Sequence, residues 1–215
     1  VDVDAMVTDA AHDFLKNGHT LGLSIGVLAG GKTSTYNFGD TEPGKSSRPT
    51  ERTQYCIGSI TKTFTGVLLA QAVTEGKLTL EDDVRKWLPG EYPNLEYEGQ
   101  PVRLWQLTNH TSGLPLSLPA SLPAPVPGQR NSAEDFRQEA ALLERYTQDD
   151  FLRDLRDVKL TRPPGERSSY SNSAAQLAGL VLERVYGESF DNLVRTKIAG
   201  PLAMEDTRVA LNAAE

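Results

Sequence analysis

The spacing of apolar and polar residues divides the chain into helical and extended segments. Between Val3 and Lys16, apolar residues recur every three to four positions, which predicts an amphipathic helix. The segments Leu21–Leu28 and Thr33–Phe38 are separated by Ala29-Gly-Gly-Lys32, and this pattern predicts a β-hairpin. We therefore expect an antiparallel sheet that begins near the start of the chain.

Helical periodicity dominates the rest of the sequence. A polar loop, Gly39–Arg52, precedes a predicted helix that runs from Ser59 to about Glu75 and ends at Gly76. The same spacing predicts further helices at Leu80–Trp87, Val102–Leu107, Ser132–Tyr146, Thr147–Asp157, Asn172–Tyr186 and Phe190–Ile198. Two early strands and many later helices indicate an α+β fold, with one antiparallel sheet beside a helical subdomain.

A proline-rich segment interrupts this helical pattern. Its prolines are Pro115, Pro119, Pro123, Pro125 and Pro127, and neither a regular helix nor a strand accepts such a series. The segment is either a surface insertion or the rim of a functional site. Because no linker divides the chain, we expect residues 1–215 to form a single domain.

Composition and charge exclude several classes of function. Hydrophobic residues make up 38% and charged residues 24% of the chain, as in ordinary globular proteins. The formal net charge of −7 argues against nucleic acid or an anionic membrane as a partner. No apolar run approaches the length of a transmembrane segment. The first residues carry no leader, so we interpret them as a mature or trimmed start.

Metal and cofactor chemistry finds no support in the sequence. Cys56 is the single cysteine, so no disulfide can form within these residues, and its apolar neighbours predict a buried thiol. His12, His19 and His110 do not have the spacing of metal ligands. We therefore expect neither a metal nor an organic cofactor, and we assign His110 a structural role in its loop.

A serine and a lysine mark the start of the second predicted helix. Ser59 and Lys62 stand three residues apart, so a helix places them on one face about one turn apart. Free amide groups near a helix N-terminus favour developing negative charge on Ser59. A partly desolvated lysine can lose its proton near neutral pH and activate the hydroxyl. The pair indicates a nucleophile and a base, although Ser-x-x-Lys alone also fits an ordinary helix start.

A second motif opens the predicted helix that begins at Asn172. A proline–glycine turn leads to Tyr170-Ser-Asn172. If the two helix starts lie close together, Tyr170 is the other candidate base, because a phenol near an ammonium group has a lowered pKa, and it can also protonate a leaving group. Asn172 can bond the lysine or the amide oxygen of a substrate. The alternatives are a buried aromatic residue for Tyr170 and an N-cap for Asn172. The sequence does not decide whether Lys62 or Tyr170 is the base.

With these two motifs, the chain resembles the penicillin-binding proteins and class C β-lactamase-related serine hydrolases, whose first motifs are Ser-x-x-Lys and Tyr-x-Asn. Gly39-Asp-Thr-Glu-Pro-Gly-Lys-Ser-Ser-Arg-Pro49 is similar to the AmpH-type periplasmic D,D-peptidases. Other stretches that resemble the family are Leu21-Gly-Leu-Ser-Ile-Gly-Val-Leu-Ala, Gly76-Lys-Leu-Thr-Leu-Glu-Asp-Asp-Val, Leu104-Trp-Gln-Leu-Thr-Asn-His-Thr-Ser-Gly-Leu-Pro115 and Ile198-Ala-Gly-Pro-Leu-Ala-Met-Glu-Asp-Thr207.

The resemblance implies a β-lactamase/transpeptidase-like fold and acyl transfer through a covalent intermediate on Ser59. It implies β-lactams or peptidoglycan peptides as substrates, a periplasmic or secreted location, and no cofactor. Two alternatives are a carboxylesterase or amide hydrolase of the same fold, and a non-catalytic penicillin-binding sensor or scaffold module. The family's third motif, Lys- or His-Thr/Ser-Gly, is absent after Thr207. We therefore expect the C-terminal strands in the remainder of a longer protein.

A competing serine lies in Gly22-Leu-Ser24-Ile-Gly26, which matches the Gly-x-Ser-x-Gly nucleophile elbow. That elbow requires a turn from a strand into a helix. Here the apolar run continues as a strand into the glycine hairpin, so we interpret Ser24 as a strand residue.

Overall fold

The computed structural model describes residues 2–122 and 132–209 of the chain. The fold divides into two compact units, and the division falls between Cys56 and Ile57. The first unit holds one helix and one hairpin, and the second holds the remaining helices together with a short hairpin.

The first unit contains α1 (Val3–Leu15), β1 (Gly22–Ala29) and β2 (Lys32–Gly39). Asp2 caps α1 by accepting a hydrogen bond of 3.1 Å from the amide of Ala5. The strands are antiparallel, and Ala29 pairs with Lys32 across two glycines that both have a positive φ. A two-residue turn with this backbone matches the twist of the strands. The predicted helix and hairpin are confirmed.

The second unit is mainly helical. Its elements are α2 (Thr61–Thr74), β3 (Glu96–Tyr97), β4 (Gln100–Pro101), α3 (Leu104–Thr108), α4 (Ala133–Leu143), α5 (Gln148–Leu155), α6 (Asn172–Tyr186) and α7 (Phe190–Val194). The centre of the unit is α6, which packs against α2, α3 and α7. Leu177, Val181 and Leu182 of α6 are fully buried in the shared core. Since α2 and α6 share one core, the starts of the two helices are held near one another.

Two predicted elements differ in the structure. The helix expected at Leu80–Trp87 is only a 3-10 turn over Val84–Trp87, because Asp83 has an extended backbone and caps the turn at Arg85. The β3–β4 hairpin was not predicted, because strands of two residues carry no periodicity.

None of the described helices is both long and apolar enough to cross a membrane.

Two other predictions concern Cys56 and the proline-rich segment. The predicted burial of Cys56 is wrong: its thiol is exposed, because the regular helix begins only after it and no helix face receives its side chain. Leu118 of the proline-rich segment, and Leu114 just before it, are buried in the core. Pro123, Pro125 and Pro127 lie outside the described residues.

Candidate active site

Ser59 lies at the entrance of α2. It belongs to a 3-10 turn, Gly58–Ile60, that leads directly into the helix, which begins at Thr61 instead of Ser59. Gly58 has a φ of +51°, a left-handed conformation that favours glycine. The Ser59 side chain is exposed. The turn therefore presents the hydroxyl to solvent at a helix N-terminus.

Lys62 reaches back from the first turn of α2 to Ser59. Its ammonium donates hydrogen bonds to Ser59 Oγ at 3.1 Å and to Asn172 Oδ1 at 2.8 Å. Its Nζ also lies 4.9 Å from the centroid of the Tyr170 ring, within the range of a cation–π interaction. The side chain of Lys62 thus contacts the other three predicted site residues.

Ser171 gives the second motif its shape. It is completely buried, and its hydroxyl caps α6 by accepting a hydrogen bond of 2.9 Å from the amide of Ala174. The same hydroxyl donates to the carbonyl of Pro115 at 2.6 Å. Ser171 is therefore the N-cap of α6, the role that the sequence offered as an alternative for Asn172. The amide side chain of Asn172 instead faces Lys62.

Tyr170 brings its hydroxyl onto the serine. The Tyr170 hydroxyl lies 2.5 Å from Ser59 Oγ, and the Tyr170 residue is 45% exposed. The alternative of a buried aromatic residue does not apply. The Lys62 ammonium, and after it the Ser59 hydroxyl, lower the pKa of Tyr170, because both stabilise the phenolate.

The loop that leads into the proline-rich segment holds the Tyr170 segment in place. The two segments are joined by a series of hydrogen bonds between residues 110–116 and 165–172. They are Gly165 N–H to Thr111 O (2.8 Å), Ser169 N–H to His110 O (2.7 Å), Ser171 N–H to His110 Nδ1 (3.2 Å), Ser171 Oγ to Pro115 O and Asn172 N–H to Leu116 O (2.7 Å). The chain on both sides of Tyr170 is therefore fixed by the loop.

Sequence reasoning missed two contacts from this loop. The ring of His110, which was assigned a structural role only, lies against the Tyr170 ring with 4.3 Å between centroids. Ser117, which the sequence did not single out, accepts a hydrogen bond of 3.3 Å from Asn172 Nδ2. The sequence signal was His110-Thr-Ser-Gly113-Leu-Pro115, but only the fold reveals which residues it touches.

The other candidate residues, Ser24 and His12, make their contacts within the first unit. Ser24 lies within β1 and is hydrogen-bonded to Asn37 (2.7 Å) and to Tyr55 (2.9 Å), so its interpretation as a strand residue is confirmed. His12 packs edge-on against Phe38. Within residues 2–122 and 132–209, no three His, Cys, Asp or Glu side chains cluster in a way that would hold a metal ion.

The hydroxyl of Ser59 therefore has two hydrogen-bonded partners, the ammonium of Lys62 and the hydroxyl of Tyr170. A sequence profile of the family described as Beta-lactamase matches residues 7–215 of this chain. The chain belongs to the Beta-lactamase family.

Curated relatives match over most of this chain. Protein flp from Staphylococcus aureus (strain N315) is 30% identical over 200 residues, which make up 91% of this chain and 36% of that protein. The D-alanyl-D-alanine-carboxypeptidase/endopeptidase AmpH from Escherichia coli (strain K12) is 29% identical over 198 residues, which make up 92% of this chain and 47% of that protein. The chain therefore spans between about a third and about half of the length of these relatives.

Solved structures of the family have the same fold. A beta-lactamase/D-alanine carboxypeptidase from Yersinia pestis, complexed with citrate, is 30% identical with a TM-score of 0.78, and the match covers 94% of this chain and 54% of that one. The octameric penicillin-binding protein homologue from Pyrococcus abyssi is 29% identical with a TM-score of 0.71, over 95% of this chain and 44% of that one. These matches confirm the predicted β-lactamase/transpeptidase-like fold and the predicted family.

Proposed function

We propose that the chain carries the nucleophile of a serine acyl hydrolase that works through a covalent acyl-enzyme on Ser59. The observation that carries this proposal is the double contact of Ser59 Oγ, with the Tyr170 hydroxyl at 2.5 Å and with Lys62 Nζ at 3.1 Å. A serine hydroxyl needs an adjacent base to become a strong nucleophile. The arrangement supplies that base without a histidine in the proton path.

Tyr170 is the base in this proposal. Lys62 already donates to Ser59 and Asn172, so the partner of Ser59 that can accept a proton is the phenolic oxygen. The lowered pKa of Tyr170, caused first by Lys62, favours the phenolate form that accepts a proton. As the bond from Ser59 Oγ to the substrate carbonyl carbon forms, the hydroxyl proton passes to Tyr170. The same proton then passes to the leaving nitrogen when the carbon–nitrogen bond breaks.

Asn172 and the Ser59 backbone complete the proposed site. Asn172 is exposed and uses Oδ1 to hold Lys62. Among the described residues its Nδ2 bonds only Ser117, at 3.3 Å, so it is suited to bind the amide oxygen of a substrate. Within the described part of the chain, no side chain caps the start of α2. The amide of Ser59 at this helix entrance is therefore a candidate oxyanion donor for the tetrahedral intermediate.

The substrate class that we propose is a β-lactam or a peptide ending in D-Ala-D-Ala, cleaved in the manner of a D,D-carboxypeptidase or endopeptidase. The names of the relatives from Escherichia coli and Yersinia pestis support this class. A periplasmic or secreted location follows, because peptidoglycan peptides lie outside the cytoplasm. A carboxylesterase or amide hydrolase, and a sensor that is acylated without turnover, remain the alternatives.

Covalent labelling tests this proposal. A fluorescent penicillin or a fluorophosphonate should add one label to the protein in its natural full-length form, on the peptide that contains Ser59. Ser59→Ala should abolish the label, whereas the control Ser24→Ala should keep it, because Ser24 lies within a strand. Labelling that survives in Ser59→Ala, or that maps to Ser24, contradicts the proposal.

Turnover separates the alternatives. A chromogenic cephalosporin, a short-chain nitrophenyl ester and a D-Ala-D-Ala peptide should be compared at equal enzyme concentration. Turnover of the peptide or the cephalosporin supports the proposed class. Turnover of the ester alone supports the carboxylesterase, and a label that forms but is not released supports the sensor.

A further inference from the structure

His110 makes a contact that the proposed acyl transfer does not use. Its half-buried ring lies against the ring of Tyr170, with centroids 4.3 Å apart and planes inclined by 37°. The hydroxyl of Tyr170 lies 2.5 Å from Ser59 Oγ. The imidazole therefore packs against the ring whose hydroxyl would take the serine proton.

The hydrogen bond to His110 defines the state of the imidazole. The amide of Ser171 donates to His110 Nδ1 at 3.2 Å. A backbone amide can only donate, so Nδ1 must carry a lone pair, and the neutral ring then carries its proton on Nε2. Protonation of Nδ1 would place two donors against each other and break this contact.

The backbone of His110 makes a second contact with the same segment. Its carbonyl accepts a hydrogen bond of 2.7 Å from the amide of Ser169. His110 has a φ of +64°, a left-handed conformation in which histidine, asparagine and aspartate are found more often than other side chains. The carbonyl and Nδ1 of His110 thus hold Ser169 and Ser171, the two neighbours of Tyr170.

The charges around the ring act against its protonation. The phenol of Tyr170, before α6, lies against the ring, and the positive charge of the Lys62 ammonium on α2 acts on it. Burial, and after it the positive charge of Lys62, lower the pKa of His110 from its ordinary value. The neutral state that the hydrogen bond requires is therefore also the state that the surroundings favour.

We propose that His110 is the positioning residue of Tyr170. It holds both neighbours of Tyr170 through its carbonyl and Nδ1, and its ring packs against the phenol, so that the hydroxyl stays on Ser59. This inference rests on the proposed function, in which that hydroxyl takes the serine proton. A misplacement of about 1 Å in such a contact can lower a rate about 10²-fold.

Substitutions separate the two side-chain contacts. His110→Ala removes the ring and the acceptor, and we expect the rate of Ser59 acylation at saturating β-lactam to fall about 10²-fold. His110→Asn keeps an acceptor for Ser171 and tolerates the left-handed backbone, so it should recover a large part of that loss. His19→Asn, on an exposed turn residue, is the matched control and should leave the rate unchanged. An unchanged rate in His110→Ala, or equal losses in the Ala and Asn variants, overturns the proposal.

The pH profile gives a readout that a merely structural role would not move. Because the pKa of His110 is lowered, the neutral ring and its contact persist below the ordinary histidine pKa and are lost as the pH falls through the lowered value. Wild-type acylation should therefore carry an acid limb with its midpoint below about 6.5, and His110→Asn should lack this limb. An acid limb that is identical in both proteins overturns the proposal.

Nuclear magnetic resonance separates this inference from the proposed function. The ¹⁵N shift of His110 Nδ1 should be that of an unprotonated acceptor, and the three histidines of the chain make the assignment simple. The pKa of Tyr170, followed through its ¹³Cζ resonance, should rise toward its ordinary value in His110→Ala. These two results support the positioning role even if no reagent acylates Ser59. A protonated Nδ1 or an unchanged Tyr170 pKa overturns it.

Discussion

The ammonium of Lys62 donates a hydrogen bond of 2.8 Å to Oδ1 of Asn172, and this bond joins the first turn of α2 to the first residue of α6. The two helices pack against each other in the core of the second unit. Because the helices are fixed by packing, the contact between these side chains does not depend on a mobile loop. Substitutions at either residue should therefore change chemistry more than folding.

Substitution of Asn172 should lower activity sharply. Asn172→Leu removes the acceptor for Lys62 and the Nδ2 donor, and we expect the acylation rate to fall about 10²-fold because the lysine loses its position beside Ser59. Ser117→Ala, which removes only the 3.3 Å bond to Nδ2, should cost at most about tenfold. Rates should be measured with a chromogenic cephalosporin. A larger loss in Ser117→Ala than in Asn172→Leu contradicts the role given to Lys62 and Asn172.

Tyr170 and Lys62 should behave as one proton-transfer unit. Tyr170→Phe removes the oxygen that contacts Ser59, and Lys62→Ala removes the charge that lowers the pKa of that oxygen. Each single variant should lose several orders of magnitude in turnover, and the double variant should lose little more than either, because the residues act together. A double-mutant cycle on acylation rates measures the coupling. Additive losses would mean separate and smaller roles.

The hydrophobic pattern predicted α1, the β1–β2 hairpin and α6 well, because each has a long periodic run or a two-glycine turn. It also predicted the grouping of Ser59 with Lys62, since a spacing of three residues places two side chains on one helix face. The grouping of these residues with Tyr170 and Asn172 came from a family resemblance, and the geometry now brings all four side chains together.

The contacts that position the Tyr170 segment could not be predicted from the sequence. The hydrogen bond from Ser171 to Pro115 joins residues 56 positions apart, and it depends on the path of an irregular loop. Periodicity describes only which face of a helix or strand is buried, so it carries no information about such a path. The same limit explains the wrong prediction for Cys56, whose apolar neighbours belong to an irregular segment before the helix.

The pH dependence of activity should follow Tyr170 on the basic side. The Lys62 ammonium, and after it Ser59, lower the pKa of Tyr170, so the phenolate forms as the pH rises through a value below the ordinary tyrosine pKa of about 10. The acylation rate should rise with pH across that lowered pKa. In Lys62→Met, the pKa of Tyr170 should move back up, which ¹³Cζ-tyrosine spectra can follow, with Tyr170→Phe for assignment. If the pKa of Tyr170 is the same in Lys62→Met as in the wild type, Lys62 is not the cause of the lowered pKa and this explanation is wrong.

Two buried serines near the start of α6 should respond differently to substitution by alanine. Ser171→Ala removes the N-cap bond to Ala174 and leaves the carbonyl of Pro115 without its donor. We expect a loss of about 2 kcal/mol in the free energy of unfolding, since both a cap and a buried hydrogen bond disappear.

Ser173 is the matched control for this prediction. It is as buried as Ser171, but its hydroxyl has no hydrogen-bond partner among the described residues. Ser173→Ala removes a single oxygen atom that has no hydrogen-bond partner among the described residues. The free energy of unfolding of this variant should therefore stay within about 0.5 kcal/mol of the wild-type value or rise above it. Urea unfolding followed by circular dichroism measures both variants. If Ser173→Ala destabilises the protein as much as Ser171→Ala, the two losses come from packing volume, and the cap and the Pro115 bond are not what fixes the start of α6.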